Sequence, residues 1–249
     1  MKFGHRSAAV EINVPTHAAL FRALRDRFAA GQGFALATLN LDHLTKLARD
    51  PQFAAAYAAQ DFVVADGRPV VWLSQLARQP VSLMPGSDLI LPLCKLAADW
   101  SLPVALFGSD TAALDAAAKA LQARVPELVI CHKAAPPMGF DPASAEADAA
   151  LRSIAASGAR LCFLALGAPK QERMAARGRE VAPGVGFVSI GAGLDFLAGH
   201  QQRAPRWMRG LALEWLWRAM QSPVRMVPRY ARCFAILPSL TWDAWRARR

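Results

Sequence analysis

From residue 34 onward, short apolar runs alternate with longer stretches whose apolar residues recur every three to four positions. FALATLN (34–40), DFVVADG (61–67), PVALFGSD (103–110), ELVICHK (127–133), ARLCFLALG (159–167) and GVGFVSIGAG (184–193) predict six strands. Between them, DHLTKLARDPQFAAAYAAQ (42–60) reads as helical with a break at Pro51. PVVWLSQLA (69–77) and GSDLILPLCKLAADW (86–100) read as two more helices, the second opening at a Ser87/Asp88 cap. TAALDAAAKALQARV (111–125), ASAEADAALRSIAAS (143–157) and PKQERMAARGREV (169–181) complete the set, with a Pro-rich loop over 134–142. Strands apolar throughout, separated by amphipathic helices, predict a mostly parallel sheet covered on both faces. The fold class is therefore α/β, doubly wound and Rossmann-like.

In such folds ligands bind beyond the carboxyl ends of the strands, so the residues where each run stops carry the functional information. They are Thr38 and Asn40; Asp66 and Gly67; Gly108, Ser109 and Asp110; Gly167 to Glu172; and Gly191, Gly193 and Asp195. Gly108 opens a turn where Ser109, Asp110 or Thr111 can cap the next helix and backbone N–H groups can approach a phosphate or a sugar. Lys170, Gln171 and Glu172 follow Gly167 and Pro169 in the first turn of a helix whose N-terminus faces the ligand side. Gln171 and Glu172 can take hydroxyl or amide hydrogen bonds there, or Glu172 can simply complement the helix dipole. Gly191 and Gly193 bracket another turn, and Asp195 can hold ribose hydroxyls or serve its own helix. Asp66 is a carboxylate at a strand tip, suited to general-base work on a hydroxyl or to an ordinary Asp-Gly turn.

Charge changes this picture at one end only. Net charge is +10, yet residues 200–249 hold ten Arg against Glu214 and Asp243, which leaves only +2 for the first 199 residues. Five of the seven Trp lie in the same segment. The boundary divides the chain into an α/β part, 1–203, and an Arg/Trp-rich C-terminal appendage, 204–249. Trp207, Leu211, Trp215 and Arg218 share one helix face by spacing, and Pro223 and Pro228 segment the rest of the tail. Phe234, Ile236, Leu237, Leu240, Trp242 and Trp245 add apolar surface near Arg246, Arg248 and Arg249. Arg with Trp suits an anionic membrane surface, a helix docked on the core, or single-stranded nucleic acid. The near-neutral first part argues against a wide nucleic-acid footprint.

Other chemistries lack their signatures. The five His show no ligand pairing, the four Cys form no CxxC and read as buried free thiols, and GxGxxG, GxSxG and P-loop motifs are missing. No apolar run follows Met1–Arg6, so no signal peptide is expected, and no stretch reaches the ~18 apolar residues of a spanning helix. The expected location is cytoplasmic, in peripheral contact with the inner face of the cell membrane.

TLN, FVVADG, PGSDL, LFGS, LGAPKQE, GAGLDFLAG, RAPRWM and LEWLWR…SPVR…RY, in that order, resemble the WecG/TagA/CpsF family of bacterial glycosyltransferases. The resemblance implies transfer of a hexose from a UDP-sugar to an undecaprenyl-diphosphate-linked sugar, in cell-surface or exopolysaccharide biosynthesis. It implies inversion, no required metal, no cofactor beyond the UDP-sugar co-substrate, and a membrane-associating appendage. By the same resemblance Asp66 is the general base, ahead of Asp88 and Asp195, with Thr38 and Asn40 beside the acceptor. Gln171 and Asp195 contact the nucleotide, and Arg218, Arg225 and Arg229 neutralise the diphosphate, a task guanidinium groups perform by bidentate pairing. The sequence departs from the family pattern at Leu39, where Pro is usual, at Gly139-Phe140, and at Pro228, where an appendage Arg is expected; the tail also runs on past Tyr230. Donor sugar, acceptor sugar and polymer are left open, as is a homo-oligomer. Two readings of other classes make different predictions. A nucleotide-sugar binding protein binds UDP without turnover. A nucleic-acid-binding protein binds single strands with strong salt dependence.

Overall fold

A computed structural model of the chain describes residues 1–5, 8–199, 204–210 and 213–248. Strands β1 (Lys2–His5) and β2 (Ala8–Glu11) form an antiparallel hairpin. The chain continues through α1 (His17–Ala29), β3 (Phe34–Leu39), α2 (Leu41–Leu47), α3 (Pro51–Ala58), β4 (Phe62–Ala65), α4 (Arg68–Leu76) and α5 (Gly86–Asp99). Next come β5 (Val104–Gly108), α6 (Thr111–Gln122), β6 (Ile130–Ala134), α7 (Ala145–Ala156), β7 (Leu161–Ala165), α8 (Lys170–Val181), β8 (Gly186–Ser189) and α9 (Gly193–Ala198). The C-terminal region holds α10 (Arg206–Gly210), α11 (Glu214–Gln221) and α12 (Pro223–Arg246).

β3 to β8 pair in parallel in the order β4-β3-β8-β7-β5-β6. This is the predicted doubly wound α/β sheet, and its two faces are visible in the alternation along one strand. Leu161 and Phe163 of β7 pack with Leu89 and Leu114 from α5 and α6. Cys162 and Leu164 pack on the opposite side with Leu151 and Met174 from α7 and α8. The chain leaves β5 outward to β6 but leaves β7 in the other direction, to β8. The adjacent tips of β5 and β7 are therefore a topological switch point, the place where doubly wound sheets bind their ligands. Gly108 makes that approach possible: its φ is +120°, and a Cβ there would lie 2.4 Å from Ala165 O.

Several local expectations change. No element is predicted before residue 34, although Leu20, Leu24 and Phe28 of α1 follow helical spacing and are buried. α5 is not capped by Ser87 or Asp88; its N-cap is Pro85, without a side-chain cap. Of the three candidates at α6, Asp110 is the cap, accepting from Ala113 N at 2.8 Å. Cys131 is only half-buried, whereas Cys94, Cys162 and Cys233 are buried, and all four are free thiols.

The tail differs most. Trp207 and Trp215 do not share a helix, because Leu213 separates α10 from α11. Pro223 does start a helix, but Pro228 does not end it: α12 runs 24 residues with Pro228 and Pro238 inside. Tertiary packing explains the continuity, since Cys233, Leu240 and Ala244 are buried in one cluster with Leu44, Leu73 and Val10. The appendage thus docks along one side of the core. Leu211, Arg249 and the boundary at residue 203 lie outside the described residues.

Candidate functional site

Local hydrogen bonding sets the carboxyl edge of the sheet. Asn40 ends β3 and caps α2: its Oδ1 accepts from His43 N at 3.1 Å. That fixes the amide orientation, so Nδ2 points to Asp66 and donates to Oδ2 at 3.3 Å. Asp66 N is tied back to Leu39 O at 2.7 Å, and Gly67 turns the chain into α4 at φ +92°. Asn40 and Asp66 are therefore brought together, while Thr38, two residues earlier on β3, is buried. Burial pushes the Asp66 carboxyl above its ordinary range, and Glu214 adds to this; Asn40, Arg218 and Arg229 pull the other way.

A buried polar layer lies beneath. The Tyr57 hydroxyl donates to Thr38 O at 2.7 Å, and His43 Nδ1 is 2.8 Å from the same carbonyl and 2.7 Å from Tyr57 Oη. A carbonyl only accepts, so the His43 proton is assigned to Nδ1. Burial pushes the His43 ring down to about 4 and keeps it neutral. Neither residue stands out in the sequence, because nothing local marks a side chain 14 or 19 positions away as a partner.

The stretch after β7 resolves into separate roles. Gln171 is 2% exposed and Glu172 0%. Gln171 Oε1 accepts from Gly191 N at 3.0 Å, and Gln171 Nε2 donates to Glu172 Oε1 at 2.8 Å. Gln171 was expected to contact a nucleotide; here its amide braces the turn after β8 from below. Glu172 is a brace in turn, and burial pushes its carboxyl up to about 7. Arg173 Nη2 donates to Asp50 Oδ2 at 2.6 Å, so this cation of the polar cluster serves the fold. Gly167 stands at the tip of β7 with φ +69°.

At the tip of β5, Ser109 Oγ donates to Asp195 Oδ1 at 2.5 Å. Ser109 holds φ +51°, costly for a residue with a side chain, directly after Gly108. Asp195 is half-buried, whereas Asp88 is exposed. Phe196, the next residue on α9, carries the Arg218 guanidinium 5.4 Å above its ring. Arg218 also pairs with Glu214 at 3.1 Å. Arg229 pairs with Asp42 at 3.1 Å, and Arg225 is exposed one helical turn before it. α11 and α12 thus bring Arg218 and Arg229 into the electrostatic environment of Asp66. Glu214, Phe196 and Asp42 were not among the residues expected; the i,i+4 spacing of Asp42 to Lys46 and of Glu214 to Arg218 was the available signal.

Taken together, a parallel sheet with a topological switch point, a raised carboxyl at one strand tip and guanidinium groups from a docked C-terminal helix pair define a doubly wound α/β protein with a polar carboxyl edge. The Glycosyl transferase WecG/TagA/CpsF family matches residues 6–249, nearly the whole chain, and the protein belongs to that glycosyltransferase family. It is accordingly an enzyme acting on a sugar donor and an acceptor. No helix among the described residues is long and apolar enough to cross a membrane.

Proposed function

We propose that the enzyme moves a hexose, with inversion and without a metal, from a UDP-sugar to an undecaprenyl-diphosphate-linked sugar during cell-surface or exopolysaccharide synthesis. The observation that carries this reading is Asp66, held at the tip of β4 by Asn40. Asp66 removes the proton of the acceptor hydroxyl as its oxygen bonds to the anomeric carbon, and the bond from that carbon to the diphosphate oxygen breaks. UDP leaves with the electron pair. The charge on its phosphates is met by Arg218 and Arg225, with Arg229 adding its field from the Asp42 pair. Backbone N–H groups of the Gly108, Gly167 and Gly191 turns approach the nucleotide, and Asp195, steadied by Ser109, takes a ribose hydroxyl. Gln171 and Glu172 shape the pocket by fixing the Gly191 turn. Thr38 stands beside the acceptor.

The membrane part of the proposal rests on α11 and α12. Their outer side exposes Met220, Val224 at 91%, Phe234, Trp242 at 57% and Trp245, interspersed with Arg225, Arg232, Arg246 and Arg248. A shallow apolar groove of about 570 Å³ runs beside Leu76, Phe234, Leu237 and Trp242. Such a face fits the inner leaflet, with the aromatic rings at headgroup depth and the arginines on anionic lipid.

A donor screen tests the function: UDP release is measured for N-acetylmannosamine, N-acetylmannosaminuronic acid and glucose donors, with and without a polyprenyl-diphosphate sugar. Release that requires the lipid acceptor supports the proposal. UDP binding without release under any pairing overturns it in favour of a nucleotide-sugar binding protein.

A further inference from the structure

Asp42 has no role in the reaction just described, yet it is a buried charge two residues beyond Asn40. Its side chain is 8% exposed, and its Oδ2 lies 2.8 Å from Lys46 Nζ and 3.1 Å from Arg229 Nη2. Lys46 Nζ also donates to Ala168 O at 3.1 Å, in the turn between β7 and α8. One carboxylate therefore joins three elements that meet at the site. They are α2, whose cap orients Asp66; the turn carrying Gly167; and α12, which carries Arg225 and packs with α11. Burial opposes the Asp42 charge, but Arg229 and Lys46 outweigh it and hold the carboxyl below the usual carboxylate range. Removing the carboxylate would leave two cations facing each other without a counter-ion, the costly way to break a buried pair.

We propose that Asp42 is a positioning residue that latches α12 to the core through Arg229, and so holds α11, with Arg218, over Asp66. The departure at Pro228 fits this division of labour. Arg229 is committed to the core, while Arg218 and Arg225 remain for the donor diphosphate. The effect on rate rests on the transferase reading above; the latch itself does not.

The test uses the full chain with Asp42→Asn, Asp42→Glu, Arg229→Gln and the double variant Asp42→Asn/Arg229→Gln. The first readout is the rate of chymotrypsin cleavage after Phe234 in α12, which follows the population of undocked helix. Each neutralising single variant is expected to raise cleavage about tenfold, the double variant no more than either single, and Asp42→Glu to stay near the starting rate, as a coupled pair requires. The second readout is sugar transfer, expected to fall in parallel with docking and to recover in Asp42→Glu. Unchanged cleavage, or effects that multiply in the double variant, overturns the latch. Raised cleavage in a chain that transfers no sugar upholds the latch and overturns only the transferase proposal. Should Asp42→Asn fail to fold, Arg229→Gln and Asp42→Glu decide the same question.

Discussion

Replacing Glu172 with Gln isolates the cost of keeping a carboxylate buried. Glu172 is fully buried; its Oε1 accepts from Gln171, and its Oε2 has no hydrogen-bond partner. Burial carries its carboxyl from 4.5 to about 7. The folded chain therefore binds this proton more tightly than the unfolded chain. Stability from this group is full below pH 4.5 and is lost as pH rises through about 7. At about 1.4 kcal/mol per pH unit, the whole shift is worth about 3 kcal/mol, of which about 2 kcal/mol falls between pH 5 and pH 8. Glu172→Gln keeps the acceptor for Gln171, and hence the brace on Gly191, while removing the titration. Urea unfolding followed by circular dichroism at pH 5 and pH 8 measures the difference. The starting protein is expected to lose about 2 kcal/mol more than Glu172→Gln over that interval. Parallel pH dependence in the two proteins would refute the reasoning.

Three further outcomes are expected. Arg218→Gln removes a charge that lowers the Asp66 carboxyl and moves the acidic limb of the transfer rate to higher pH, whereas Glu214→Gln moves it to lower pH; pH–rate profiles of both variants check the pair. Trp242→Ser with Trp245→Ser removes a stacked, exposed ring pair and weakens sedimentation with anionic liposomes while leaving the melting temperature in place. Gly108→Ala puts a methyl group 2.4 Å from Ala165 O at a left-handed backbone position and costs about 1–3 kcal/mol of stability, read by denaturant unfolding.

The parallel sheet was legible because its strands are apolar on both faces, and the strand-end rule then directed attention to its carboxyl edge. Asn40 and Asp66 were both singled out as strand-end residues, and the pairing of β3 with β4 is what brings them within 3.3 Å of each other. The features that stayed hidden depend on distant partners. For Gln171, position in a first turn does not reveal that Gly191 N lies 3.0 Å from its side chain. Asp42 drew no attention, because its partner Arg229 lies far along the chain on α12. The tail was the hardest part. Prolines normally interrupt helices, yet burial of Cys233, Leu240 and Ala244 against the core sustains α12 through Pro228 and Pro238. Truncation is for that reason a poor probe of the appendage, because it would strip the apolar side of α2 and α4.

The most direct test of Asp66 as the base is transfer to a polyprenyl-diphosphate sugar by Asp66→Asn. The substitution keeps the size of the side chain while removing the proton acceptor. A fall in kcat of about 10²–10⁴-fold is expected, with UDP binding retained. Turnover close to that of the unmodified enzyme would contradict this role and return Asp195 to consideration as the base.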